Sequence, residues 1–271
     1  MTREAFAKDK EQLWADIEEV RRQIADLLME IDHIKLQANP RIEVDYAIKI
    51  GCYENELLQA QINARRAKRR YELAQARTSR GEEVNENEIE EVLDLEFEAW
   101  EVQLAVQVQD YLAKLESKAG SRALLPHEVN EIRSLHRELV KRLHPDLHPH
   151  QTDDERRLFA MVQEAYQQGD LGMLRSIEVA TAYLVKEDDD GVGSLDELAA
   201  EYELQCAQLH VLQEQLDALK STLPYTLAEK LADSDWVTRR TRELKKEIEE
   251  QQEARKAYDQ KYKALKEARD V

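Results

Sequence analysis

Apolar residues fall at Leu13, Ile17, Val20, Ile24, Leu27, Ile31 and Ile34, in steps that alternate four and three. That is the heptad spacing of a helix that buries one stripe against another helix. The stretch Ala38-Asn39-Pro40-Arg41 is expected to interrupt it, because proline lacks the N–H of the helical ladder and biases the residue before it towards an extended backbone. A second seam follows at Tyr46, Ile50, Tyr53, Leu57, Ala60, Ala64, Ala67, Tyr71 and Ala74, and its alanines leave room for a close partner helix. TSRGEEVNENE reads as a turn, after which a third helix carries Leu93, Phe97, Trp100, Leu104, Tyr111 and Leu115. Short connections favour antiparallel neighbours, so the second and third helices are expected to form a hairpin.

Beyond residue 186, KEDDDGVGS reads as a linker, a charge run followed by two glycines. Ser194 and Glu197 then have the spacing of a capping box. The seam resumes at Leu195, Leu198, Tyr202, Leu209, Leu212, Leu216, Leu219 and Leu223, and LPYT breaks it. A last helix, capped near Ser234 or Asp235, runs through Val237, Leu244, Ile248, Tyr258, Tyr262 and Leu265. A second hairpin is the economical expectation.

The segment between these seams has a different texture. Pro126 suits a first helical turn. Val129, Ile132, Leu135, Leu139 and Leu143 then share one face, with Arg133, Arg137 and Lys141 as a basic stripe beside it. Pro145 ends that helix. Thr152 and Glu155 announce the next, which presents Leu158, Phe159, Val162, Ala165 and Tyr166 on one side. Two such helices joined by a loop of this length are expected to pack antiparallel. Asp170 is placed to cap a further helix.

Composition narrows the class. Of 271 residues, 35% are charged and 6% aromatic, with only 7 Gly, which suits long helices and leaves little for phosphate-cradling loops. The net charge of −18 argues against sequence-wide affinity for nucleic acid or an anionic bilayer. Residues 127–186 carry 8 Lys and Arg against 10 Asp and Glu, a net of −2, so the acidity belongs to the flanking helices. The N-terminal stretch has no signal-peptide pattern, and no window is apolar for long enough to span a membrane. Cys52 and Cys206 have neither disulfide-framework nor metal-like spacing. A reduced, cytoplasmic protein without cofactor or metal is the expectation. His144, His148 and His150 with Asp153 or Asp154 read better as a polar loop than as a zinc site, which usually recruits four well-spaced ligands. The run ARRAKRR at residues 64–70 reads as a solvated face that balances acidic neighbours.

The motif LVKRLHPD, a polar loop and then ERRLFAMVQEAY resemble the J-domain of the DnaJ class of co-chaperones. In that family a basic second helix ends in His-Pro-Asp, and a third carries Phe, a β-branched residue and Ala-Tyr. Phe159, Val162, Ala165 and Tyr166 keep that spacing, and the likeness spans about forty residues. The chain departs from the family after Tyr166, where it diverges into an extra helix, and in three further places. DYLAKLESKAG lies upstream of where the first-helix Tyr-x-x-Leu-Gly pattern belongs, Leu143 replaces an aromatic, and Glu138 stands where a base is commoner.

The resemblance implies docking on a DnaK-type chaperone ATPase and stimulation of its ATP hydrolysis, through His144, Pro145, Asp146, Arg133, Arg137, Lys141 and Arg142. It makes Leu135, Leu139, Leu143, Phe159, Val162, Ala165 and Tyr166 the module's core. Proline keeps the turn stiff, the Asp146 carboxylate suits an arginine on the partner, and the basic stripe would steer onto an acidic surface. No nucleophile with an orienting base is visible, so the chain is expected not to be an enzyme.

The expected architecture is all-α. Three long coiled-coil helices occupy residues 1–120, a J-domain-like module 121–186, an acidic and glycine-containing linker 187–194, and a helical hairpin 195–271. The coiled coils would bind a client or partner protein, and their seams can close within one chain or between copies. The alternative is a scaffolding protein whose module stimulates nothing.

Overall fold

The computed structural model describes residues 3–120, 124–149, 151–182 and 194–267, and every regular element among them is helical, as expected. The elements are α1 (Arg3–His33), α2 (Asn39–Tyr46), α3 (Cys52–Ser79), α4 (Glu86–Gly120), α5 (Pro126–Leu143), α6 (Asp153–Gln168), α7 (Leu171–Ala180), α8 (Leu195–Ser221), α9 (Leu227–Ala232) and α10 (Ser234–Glu267). They form two compact units. One comprises residues 1–42 and 121–226, the other residues 43–120 and 227–271.

Pro40 does not break the first helix, contrary to expectation. A π-helical turn, Ile34–Ala38, precedes it, and the Asn39 N–H bonds the Ile34 carbonyl five residues back. Pro40 therefore enters as the second residue of α2, where the widened turn relieves the clash between its ring and the preceding turn of the helix. A second π turn, Ala47–Gly51, leads directly into α3. Each wide turn adds a residue and rotates the apolar stripe that follows. Ile34 and Ile50, one in each π turn, both stay buried.

In the first unit, α8 runs parallel to α1. Arg21 bonds Glu201 at 2.6 Å, and further along Glu30 meets Lys220 at 2.5 Å. Val20, Ile24, Leu28 and Ile31 of α1 share one core with Leu212 and Leu216 of α8 and with the buried faces of α5, α6 and α7. The capping expectations hold locally. Glu155 donates its N–H to the Thr152 hydroxyl, Glu197 to the Ser194 hydroxyl, and Met173 to the Asp170 carboxylate. Gly169 closes α6 at φ +68, a left-handed conformation that favours glycine.

In the second unit, α4 returns antiparallel to α3, the hairpin expected from their short connection. Ile62, Ala74, Ile89, Leu93 and Phe97 form its core. Farther along α4, Leu104, Tyr111 and Leu115 are only half-buried, and Trp100 is exposed beneath the Arg65 guanidinium, 4.5 Å from the ring centre. The basic run does balance acidic neighbours, across helices: Arg66 pairs with Glu90, Asp94 and Glu101, and Arg69 with Glu96. α10 lies parallel to α3, with Arg240 near Glu54 at its start and Tyr258 beside Tyr71 towards its end.

The expected C-terminal hairpin over 195–271 is therefore corrected. Its two long helices have different partners, α8 packing on α1 and α10 on α3. α10 is capped one residue earlier than expected, by the Asp233 carboxylate, which accepts the Asp235 and Trp236 N–H groups. The expected linker at 187–194 lies outside the described residues except for Ser194. No described helix is long and apolar enough to cross a membrane. Both cysteines are free, Cys52 in the second unit and Cys206 in the first.

Candidate functional site

α5 begins at Pro126, with the Glu128 carboxylate accepting the Leu125 N–H at 2.9 Å. It ends where His144 leaves helical geometry for an extended backbone at ψ 129, before Pro145. The loop then folds back on the end of the helix instead of leaving it. His148 donates through Nε2 to the Lys141 carbonyl at 2.7 Å, and the Gln151 amide donates to the Leu143 carbonyl. Two orphan carbonyls of the helix terminus are satisfied in this way.

His144 faces inwards at 8% exposure, while Pro145 and Asp146 are exposed. The edge of its ring meets Phe159 at 4.8 Å, and its Nδ1 accepts the Asp146 N–H at 3.0 Å. Accepting there requires a lone pair on Nδ1, so the proton of the neutral ring sits on Nε2. Burial holds the imidazole below its ordinary pKa, and the nearby Asp146 carboxylate opposes that shift. The histidine is thus a buried brace for the corner. Asp146 is its exposed tip, with a carboxylate that makes no hydrogen bond or ion pair among the described residues.

The basic stripe is divided. Arg133 and Lys141 are exposed. Arg137 is already engaged by Asp26 of α1, and Arg142 reaches the C-terminal end of α7, donating to the Glu178 carbonyl and the Thr181 hydroxyl at 3.0 Å each. Leu135, Leu139, Leu143, Phe159, Val162, Ala165 and Tyr166 all lie together in the core of the unit. That core also holds α1 and α8 residues, which the sequence reading assigned to separate segments.

Four contacts around the site were missed from sequence. Gln208 of α8 donates to the Asp146 carbonyl at 3.1 Å, so the corner touches a helix sixty residues away in the chain. His136, wholly buried, stacks on Tyr166 with ring centres 3.8 Å apart and sits 3.4 Å from Asp32 of α1. The Tyr166 hydroxyl lies 3.1 Å from His33 Nδ1. One signal was legible: His136 falls on the apolar face between Ile132, Leu139 and Val140. Nothing in the spacing pointed to α1 as its partner. Of the three loop histidines, His144 is turned inwards, His148 is bound to the backbone, and His150 lies outside the described residues. Among the described residues, no three His, Cys, Asp or Glu side chains converge as metal ligands.

Chemically, the arrangement offers a stiff anionic point at the end of a helix that also carries the exposed Arg133 and Lys141, which suits docking to a charged protein surface. Comparison with protein-family models, with curated proteins and with solved structures finds no match to this chain.

Proposed function

We propose that the His144–Asp146 corner docks on a DnaK-type chaperone ATPase and stimulates its ATP hydrolysis, with the long helices binding a client or partner protein. One observation carries the reading. The exposed Asp146 carboxylate is held out on a proline-stiffened turn, braced from beneath by the His144 ring, between a basic helix and the helix that bears Phe159 and Tyr166. A rigid anion of this kind loses little entropy on binding and suits bidentate capture by an arginine. Arg133 and Lys141 add steering towards an acidic surface. The chain needs no chemistry of its own, since the partner hydrolyses the nucleotide.

The test is single-turnover ATP hydrolysis by a DnaK-type chaperone with and without this protein. Stimulation is expected, with at least about tenfold loss in Asp146→Asn, a removal of charge worth 1.4 kcal/mol or more. Asp146 is exposed, so that variant keeps its fold. His144→Gln should lose stimulation as well, through the brace. Absence of stimulation by the unaltered protein would reject the proposal.

A second reading is a scaffold whose module stimulates nothing. The engagement of Arg137 by Asp26, of Arg142 by α7 and of the Asp146 carbonyl by Gln208 favours it, because each uses docking capacity internally.

A further inference from the structure

α4 carries a second seam on the side opposite its core contacts. Leu95, Ala99, Val102, Val106, Gln109 and Ala113 follow one another in steps of four, three, four, three and four, and all six are exposed. Leu95, Val102 and Val106 are 76%, 57% and 60% exposed, and Leu112 beside them 49%. No charged residue occurs between Val102 and Gln109. A soluble helix that is apolar on two opposite faces is ordinarily covered on both. Among the described residues, only the face of α4 towards α3 is covered.

We infer that this face binds α4 of a second copy of the chain, antiparallel, about a two-fold axis near residue 104. Two features of the helix select that occupant, independently of the chaperone proposal. First, the seam reads the same from either end. An antiparallel copy sets Leu95 opposite Ala113, Ala99 opposite Gln109 and Val102 opposite Val106, pairing large with small in the outer layers and valine with valine at the centre. A two-fold interface requires that self-complementarity.

Second, the charge is graded along the helix. Residues 86–101 hold eight acidic residues and no basic ones, whereas 102–120 hold Asp110 and Glu116 against Lys114 and Lys118. α3 balances Glu90, Asp94, Glu96 and Glu101, but the exposed Glu91 and Glu98 flank Leu95 on the outer face, and a parallel copy would set them beside their counterparts. An antiparallel copy sets each acidic half against a neutral one. Gln109, the one polar residue of the seam, then faces an alanine and penalises other registers. The segment 183–193 is a poor occupant, since its KEDDD run repeats the acidity of α4.

The seam spans about 28 Å of helix. The interface is therefore at the small end for a stable complex, roughly 1,000 Å² in total, and should depend on concentration. Sedimentation of the full chain over a micromolar range is expected to show a monomer–dimer equilibrium. Val106→Glu should shift the midpoint at least tenfold towards monomer with unchanged helical circular dichroism, while Leu204→Glu, an exposed apolar position on α8, should leave it in place. In a Cys52→Ser, Cys206→Ser background, Ala105→Cys near the axis should cross-link between copies and Ala99→Cys should not. A monomer at all concentrations, or a dimer indifferent to Val106→Glu, overturns the inference. Cross-linking through Ala99→Cys overturns the antiparallel direction.

Discussion

His144 and Asp146 divide the labour of the corner between them, one residue buried as a brace and the other exposed as a tip. The division has a consequence in pH. Burial keeps the His144 imidazole below its ordinary value of 6.5, and burial and the neighbouring Arg133 do the same for His33. As pH falls through 6.5 the unfolded chain takes up protons that the folded chain resists, so folded stability is complete above that value and declines below it. The melting temperature of the protein is therefore expected to be level above neutrality and to drop below about pH 6.5. In His144→Gln the decline should be shallower. A melting temperature that rises on acidification from neutral to pH 5 would contradict the assigned burial of these rings. The sequence shows the histidine and the proline. It does not show which way the ring turns, because that depends on the space Phe159 leaves across the loop.

At the scale of elements, the local signals were largely readable. Thr152 with Glu155, Ser194 with Glu197, Asp170 and Pro126 each start a helix where their chemistry places them, since a cap satisfies N–H groups only three or so residues away. Pro40 was misread because the π turn that accommodates it has no strong signature of its own. Spacing shows the basic stripe of α5 but not its neighbours, and Arg137 lies against Asp26 of α1. Both side chains of that pair are about half exposed, so Asp26→Asn should cost at most about 1 kcal/mol in chemical denaturation. If Arg137 serves docking, the same variant should increase chaperone stimulation by releasing it. Unchanged or weaker stimulation would remove Arg137 from the docking surface.

For the whole molecule, the decisive feature is that each unit draws on both halves of the chain. α8 buries Leu212 and Leu216 in the core it shares with α1, and α10 buries Leu244 and Ile248 in the unit it shares with α3. Residues 195–271, expected to form a hairpin of their own, should as an isolated fragment show weak helicity and no cooperative melt, because long helices without a covered apolar face are marginal in water. Helicity should return when the fragment is mixed with residues 1–186. A fragment that melts cooperatively alone would restore the hairpin.

The all-α class, the caps, the turn after α3 and the His-Pro-Asp corner with its flanking helices were determined by the sequence itself, since each depends on residues within a turn or two of one another. Heptad spacing also announced that every long helix has a covered face. It could not say which helix covers it, because apolar burial is non-directional and one leucine seam accepts another equally well. Tertiary structure alone decided that α1 takes α8, that α3 takes α10, that Arg137 and Arg142 are engaged by α1 and by the end of α7, and that the outer seam of α4 has no partner among the described residues.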